Sequence, residues 1–182
     1  MRDPRPLFSV SEVSALLAME SDVRSAAEAV ARWQDAGLTV RTVRGRKMRT
    51  VGRLFDEMAA ALQFPYYFGE NWPAFDECLA EMDWLPATVG IVVLVQEAAE
   101  VLSDADDVEL TVFARLIESA RCAYSVPIAL GEWWDRPAVP FHVVLHSSPA
   151  DSATLRGRWR KAGAAIREFP PLGGGSSEMR EG

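Results

Sequence analysis

The sequence predicts a small layered α/β fold, in which a three-stranded parallel sheet is flanked by helices and further helical segments lie at both ends of the chain. Apolar runs of strand length alternate with longer segments whose apolar residues recur at helical spacing. Because helices separate the strands, we expect parallel pairing through right-handed crossovers. With 182 residues, of which 49% are hydrophobic, the chain is long enough to bury a full core.

The chain divides into four predicted regions. These are an N-terminal helical arm (1–37), a central domain (38–148) with an insertion at about 122–139, a C-terminal helical extension (149–170) and a flexible tail (171–182). In the arm, "SEVSALLAME" and "SDVRSAAEAVARWQDAG" are interpreted as helices. Ser21 or Asp22 caps the second helix, and Gly37 ends it. In the extension, "DSATLRGRWRKAGAAIREF" has the pattern of a basic helix that pairs with the acidic surface of the same domain.

The central domain carries the sheet. "LTVRTVRG" alternates like a strand and ends in a turn at Gly45. Thr50 is placed to cap the helix "VGRLFDEMAAALQF", which Pro65 ends. "ATVGIVVLV" is a continuous apolar run, as expected of a strand buried on both faces. The helix "DDVELTVFARLIESARCA" and the strand "PFHVVLHSS" complete the domain.

Between the first two of these strands lies "FPYYFGENWPAFDECL", an aromatic loop that leads into a helix. Asn71 is a favourable N-cap and Pro73 fits the first turn, so we expect a helix from about Trp72 to Asp83. On a helical wheel one side carries Trp72, Phe75, Cys78, Leu79 and Met82, and the other carries Pro73, Asp76, Glu77 and Ala80. The sequence therefore predicts one core face and one face that offers carboxylates beside small residues.

The negative charge is concentrated around this helix. No Lys or Arg occurs between Arg53 and Arg115, although half of the 26 acidic residues fall there. Such a field repels phosphate backbones and attracts a basic partner, so it disfavours direct nucleic-acid binding. Solvated helix faces that promote solubility are the simpler reading of an acidic run.

Several classes of function are disfavoured by the sequence. No apolar run reaches the roughly 18 residues of a membrane helix, and the start of the chain does not resemble a signal peptide, so we expect a cytoplasmic protein. Cys78 and Cys122 are interpreted as buried thiols, without a disulfide framework or zinc site. His142 and His146 would lie about 13 Å apart on one strand, too far to share a metal ion. Glu70 with Asp76 or Glu77 would supply the carboxylate pair of a glycoside hydrolase, but nothing in the sequence shapes a sugar cleft around them.

No catalytic residue, metal or cofactor is therefore predicted. The sequence contains no GxSxG, P-loop, HExxH or GxGxxG motif.

Seventeen of the 19 basic residues are arginine, a bias typical of a GC-rich bacterial genome.

The order of these elements resembles the barstar family of intracellular ribonuclease inhibitors. The resemblance rests on "YYFGENWPAFDECL", together with the preceding "TVRTVRGRKMRTVGRLFDEMAAAL" and the following "WLPATVGIVVLV". It covers roughly residues 38 to 147. It implies a partner, a basic ribonuclease or nuclease toxin whose active site is blocked by the loop and the acidic helix. The implied contact residues are Tyr67, Phe68, Gly69, Asn71, Trp72, Pro73, Asp76, Glu77, Ala80 and Glu81.

The resemblance gives Glu77 the place of the family's central aspartate, the carboxylate that occupies a phosphate subsite of the enzyme. Pro73 replaces an earlier family aspartate, and either Arg115 or Glu118 aligns with a contact glutamate of the fourth helix. The insertion contains Trp133 and Trp134, whose interpretation as core packing, as a lid or as a second contact patch is open. The alternative function is a non-inhibitory interaction or regulatory module on the same fold. The sequence does not determine the oligomeric state.

Overall fold

The computed structural model describes residues 4–85, 89–132 and 135–169. Its strands and helices follow the order β1 (Leu16–Glu20), α1 (Val23–Asp35), β2 (Thr39–Arg44), α2 (Val51–Leu62), α3 (Trp72–Glu81), β3 (Ile91–Gln96), α4 (Asp107–Ser125), β4 (Phe141–Ser147), α5 (Ser152–Lys161) and β5 (Arg167–Glu168). Short 3-10 helices occur at Arg5–Phe8, Gly45–Lys47 and Ala98–Glu100. The predicted tail (171–182), Trp133 and Trp134 lie outside the described residues.

The strands form one parallel sheet in the order β2-β3-β4-β1-β5. The predicted class, a parallel α/β sheet flanked by helices, is confirmed. The prediction of three strands is wrong, because the described residues contain five. The central domain supplies β2, β3 and β4, and the two terminal regions add β1 and β5 to the same sheet.

The helix predicted over "SEVSALLAME" is also wrong, since this segment contains β1. Leu16, Leu17, Ala18 and Met19 are all buried, because β1 lies between β4 and β5 and packs on both faces of the sheet. A short continuous apolar run cannot be assigned to a helix or a strand from its periodicity alone. Pairing within the sheet here outweighs the helix propensity of Ala, Leu, Met and Glu.

The C-terminal extension is not one helix. α5 ends at Lys161, and the chain then turns at Gly163, whose φ is +78°, toward β5. Leu155, Trp159 and Ala162 are buried as their spacing predicts. Near the end of the predicted helix, Arg167 and Glu168 pair with β1 instead, where the register joins Leu17 to Arg167.

Helices cover both faces of the sheet. α1 packs on one face, over a core that includes Trp33, Val92 and Val144. α2, α3, α4 and α5 pack on the other face, over the larger core around Val93 and Phe113. The connection from β1 to β2 crosses toward the β2 edge of the sheet, whereas the later connections lead toward the β5 edge. If all crossovers are right-handed, connections that lead in opposite directions must pass over opposite faces of the sheet, as observed.

Most of the local signals in the arm and the central domain correspond to the observed elements. Asp22, rather than Ser21, caps α1 by accepting a hydrogen bond from the N–H of Ser25, and Gly37 follows the helix with a φ of +91°. Thr50 occupies the N-cap position of α2, but its side chain accepts no cap hydrogen bond from the described helix. β3 and β4 are almost entirely buried. Cys78 is buried as predicted, whereas Cys122 is exposed because it faces outward near the end of α4.

Candidate functional site: an acidic helix and its aromatic loop

The aromatic loop, residues 64–71, separates into an inner and an outer set of rings. Phe64 and Phe68 are half-buried and contact each other edge-on, with ring centroids 5.1 Å apart. Phe68 also packs edge-on against Phe55 of α2, so it serves mainly to anchor the loop. Tyr66 is 100% exposed and Tyr67 is 66% exposed. Of the predicted contacts in this loop, Tyr67 is the ring most available to a partner, and Tyr66 is a further one that the prediction omitted.

The conformation of the loop is held by Gly69 and Asn71. The Oδ1 of Asn71 accepts a 3.0 Å hydrogen bond from the N–H of Ala74, which caps α3. Its Nδ2 donates a 2.9 Å bond back to the carbonyl of Gly69. A Cβ on residue 69 would lie 2.9 Å from that same Nδ2, so a side chain there would displace the asparagine amide. The Gly-x-Asn spacing is therefore required by the packing of the cap.

The helix α3 divides into faces as the wheel predicts. Phe75, Cys78 and Leu79 are buried, and Trp72 is half-buried against Phe55 and Phe113. On the outer side Pro73, Glu77 and Glu81 are exposed, whereas Asp76 and Ala80 are partly covered. The helix ends at Glu81, two residues earlier than predicted.

The side chains of Trp72 and Asp76 are only partly accessible to a binding partner. The indole Nε1 of Trp72 donates a 2.8 Å hydrogen bond to Oε2 of Glu109, in the first turn of α4. The Oδ1 of Asp76 is buried and has no hydrogen-bond partner within the described ranges. The most accessible carboxylates of the helix are therefore those of Glu77 and Glu81.

Five carboxylates surround this helix without internal neutralisation. Within residues 4–85, 89–132 and 135–169, no ion pair involves Glu70, Asp76, Glu77, Glu81 or Asp83. Their field affects neighbouring groups. Burial, and then the charges of Glu77 and Glu81, raise the pKa of Cys78. Desolvation, followed by Cys78 and the nearby carboxylates of α3, raises the pKa of Tyr67.

The rest of the acidic run is largely paired, contrary to its interpretation as one unpaired region. Arg49 contacts Glu100 at 2.8 Å and Asp104 at 2.7 Å. Further pairs are Arg44 with Glu57, Arg46 with Glu97 and Lys161 with Asp107. The last pair confirms the expectation that α5 meets acidic residues of its own domain. These pairs leave the unneutralised charge concentrated at α3.

Of the two candidates for the fourth-helix contact position, Glu118 is engaged by the N-terminal segment. Glu118 accepts hydrogen bonds from the hydroxyl of Ser14 at 2.7 Å and the N–H of Ala15 at 2.9 Å, and it pairs with Arg121 at 2.7 Å. Its carboxylate is therefore engaged inside the protein, whereas Arg115 is exposed. Sequence reasoning missed this network because its members lie more than 100 positions apart and no local pattern links them.

His142 and His146 are buried on one face of β4. Their Nε2 atoms lie 3.0 Å from the carbonyl oxygens of Ser9 and Ser21, respectively, so both side chains act in the packing of the N-terminal segment. In the described part of the chain, no cluster of three or more His, Cys, Asp or Glu residues is arranged to hold a metal ion. Of the described helices, none combines the length and apolar character needed to cross a membrane.

The fold and this site define a three-layer α/β protein that exposes an acidic helix beside an aromatic loop. Residues 38–146 match the family described as Barstar (barnase inhibitor). Because this match covers more than half of the sequence, the chain belongs to the Barstar family, as the resemblance predicts. A comparison with curated proteins finds no match.

Two of the solved structures to which this chain is similar are a Walker-type ATPase and an ORC assembly. A Walker-type ATPase of Pyrococcus abyssi is 13% identical, with a TM-score of 0.54, and the alignment covers 93% of this chain and 53% of that one. A Drosophila ORC structure, bound to AT-rich DNA and Cdc6, is 13% identical with a TM-score of 0.43, and the alignment covers 88% of this chain and 51% of that one. The chain thus spans about half the length of these two structures. The likeness to the ATPase shows the fold alone.

Proposed function

We propose that this protein is an inhibitor, or immunity protein, that binds and blocks the active site of a basic ribonuclease or nuclease toxin. Family membership supports a protein partner of the ribonuclease type. The observation that carries the proposal is the set of carboxylates around α3 that form no ion pair with the described residues, beside the exposed rings of Tyr66 and Tyr67. The contact surface is α3 and residues 66–71, and the inhibitor acts in the cytoplasm.

The chemistry of this surface suits a nuclease cleft. Such a cleft binds the phosphates of RNA through cationic side chains. Carboxylates on a rigid helix take the place of those phosphates. Glu77 is central on the exposed face of α3 and occupies the phosphate subsite of the partner. Tyr67 adds a stiff apolar contact at low cost in side-chain entropy. The concentrated negative charge raises the rate at which a basic enzyme associates.

The proposal assigns no catalysis to the chain itself. The fold shared with a Walker-type ATPase places a helix, α1, directly after β1. In this chain the connection consists of Ser21 and Asp22 and contains no glycine and no P-loop sequence. The carboxylate of Asp22 also accepts the N–H of Ser25 at 2.9 Å. A phosphate at the start of α1 would therefore meet a negative charge.

The test is inhibition of a panel of small basic ribonucleases and nuclease toxins by the purified chain, with binding kinetics for any enzyme inhibited. We expect Glu77→Gln to weaken the affinity at least about tenfold. Glu28→Gln is the matched control, because it removes the same charge from α1 on the opposite face of the sheet. We expect association to slow as salt rises. Binding that is equal for both variants would contradict the proposal and favour the interaction module.

A further inference from the structure

The insertion begins where α4 extends beyond the end of α3. These helices lie side by side, since Trp72 bonds to Glu109 and the rings of Phe75 and Phe113 are 5.9 Å apart. Both helices rise by about 1.5 Å per residue, so the end of α3 at Glu81 lies level with the third-last turn of α4. Tyr124 is buried one to two turns further on. The charges of Asp83 and Glu81, after burial, contribute to raising the pKa of Tyr124, which agrees with this placement.

The described part of the insertion is folded against the end of α4. Ile128 and Arg136 form an antiparallel bridge, with backbone hydrogen bonds of 2.8 and 3.0 Å. The carboxylate of Asp135 accepts the N–H groups of Leu130 at 2.9 Å and Gly131 at 2.8 Å. These bonds, with that of Leu130 the larger cause, lower the pKa of Asp135. The described residues of the insertion are therefore held in place before any partner binds, which reduces the entropy cost of binding.

Arg136 fixes this segment against the last turn of α4. Its guanidinium lies 4.9 Å from the ring centroid of Tyr124 and donates to the carbonyl of Ala123 at 3.0 Å. The same insertion exposes apolar side chains, since Val126 is 62% and Leu130 is 73% exposed. The insertion thus exposes apolar side chains at the end of α4, beyond the level at which α3 ends, and Glu81 and Asp83 at that end of α3 are also exposed.

We propose that Val126 and Leu130 form a second contact patch for the same basic nuclease that α3 binds. This inference rests on the proposed function. The acidic helix enters the cationic cleft, and the insertion contacts an apolar area on the rim of that cleft. The side-by-side course of α3 and α4 and the exposed carboxylates of Glu81 and Asp83 favour this occupant, because a basic partner bound at the end of α3 extends along α4 toward the insertion. The apolar patch then slows dissociation and selects among nucleases with similar clefts.

The experiment compares the double variant Val126→Ser/Leu130→Ser with the control Val23→Ser. The control removes an apolar side chain of α1 that is 66% exposed. The probe is a nuclease that the wild-type chain inhibits. We expect the double variant to dissociate about tenfold faster, with an unchanged salt dependence of association, and the control to behave as wild type. Equal thermal midpoints verify that the variants fold, since all three side chains are mainly solvent-exposed.

The outcomes separate the two proposals. If Glu77→Gln weakens binding and the double variant binds like wild type, the second patch is refuted and the inhibitor function stands. If the double variant alone weakens binding, the proposed use of α3 fails, and this inference fails with it. Weakening by both variants, the first mainly through association and the second through dissociation, supports the inference.

Discussion

The indole N–H of Trp72 donates a 2.8 Å hydrogen bond to the carboxylate of Glu109, which ties the first turn of α3 to the first turn of α4. The same indole packs edge-on against Phe55 and Phe75. The start of the acidic helix is thus held by a polar bond on one side and by aromatic packing on the other. Trp72, one of the predicted contact residues, therefore acts mainly as an anchor for the helix that exposes Glu77.

This bond leads to the first prediction. Glu109→Ala removes the acceptor and leaves a half-buried indole N–H without a partner, so we expect a loss of about 1–2 kcal/mol in the free energy of unfolding. Glu109→Gln retains an acceptor oxygen and should lose about half as much or less. Urea denaturation measures both variants, with unchanged m-values. Equal losses for the two variants would show that charge, rather than the hydrogen bond, accounts for the effect.

The second prediction concerns the lock between Gly69 and Asn71. Asn71→Ala removes the α3 cap and should cost about 1 kcal/mol of stability. Gly69→Ala places a Cβ 2.9 Å from the Asn71 amide and displaces that cap. Because both changes act on the same bond, the double variant should be less destabilised than the sum of the single variants.

A double-mutant cycle by urea denaturation tests this coupling. We expect an interaction energy of about 0.5–1 kcal/mol, with the same sign for affinity toward an inhibited nuclease. Gly131→Ala is not a suitable control, because Gly131 has a φ of +82° and a side chain there is strained. Gly157→Ala is suitable, since a Cβ at that exposed position meets no atom within 4 Å. Additive losses at residues 69 and 71 would contradict the lock.

Much of the candidate site could be predicted because its signals are local. Asn71 and Pro73 define the start of α3, and the spacing of its apolar residues defines the buried face. The strands β3 and β4 are recognisable as continuous apolar runs. In each case a few adjacent residues contain the physical cause of the structure.

The errors have causes that are distant in the sequence. β1 is a strand because β4 and β5 pair with its two edges, although its composition favours a helix. Glu118 is engaged because the N-terminal segment lies beside α4. Part of the acidic run is paired with distant basic residues such as Arg46, which lies 51 positions from its partner Glu97. Neither propensity nor periodicity in one window contains this information.

The third prediction uses two glycines that flank the start of α2. A Cβ on Gly45 would lie 2.1 Å from the carbonyl oxygen of Glu97, whereas one on Gly52 would meet no atom within 4 Å. Gly45→Ala therefore forces the backbone after β2 away from the backbone after β3, at a cost of about 3 kcal/mol. Gly52→Ala should stabilise the helix by roughly 0.5 kcal/mol.

Thermal and urea unfolding of the two variants form a matched comparison, since both make the same chemical change seven positions apart. The opposite signs are the diagnostic result. If Gly45→Ala unfolds at the wild-type midpoint, the close approach of the two backbone segments is relieved without cost, and the argument from this contact fails.

The fourth prediction concerns the dependence of stability on pH. His142 is fully buried, and burial lowers its pKa from 6.5 to about 4, against the opposing effect of its hydrogen bond to the Ser9 carbonyl. Between these values the unfolded chain binds a proton that the folded protein does not. Stability from the neutral imidazole is thus complete above pH 6.5 and is lost as the pH falls toward 4, by an amount on the order of 3 kcal/mol.

The comparison of wild type with His142→Gln isolates this contribution. The glutamine side chain does not titrate, and carboxylates that protonate in the same range affect both proteins alike, so the difference in unfolding free energy between them depends on residue 142. We expect this difference to be constant above pH 7 and to shift toward the variant between pH 6.5 and 4, measured by urea unfolding at half-unit intervals. A difference that stays constant across the whole range would show that His142 ionises equally in both states, and hence that the segment around Ser9 does not seal it from water.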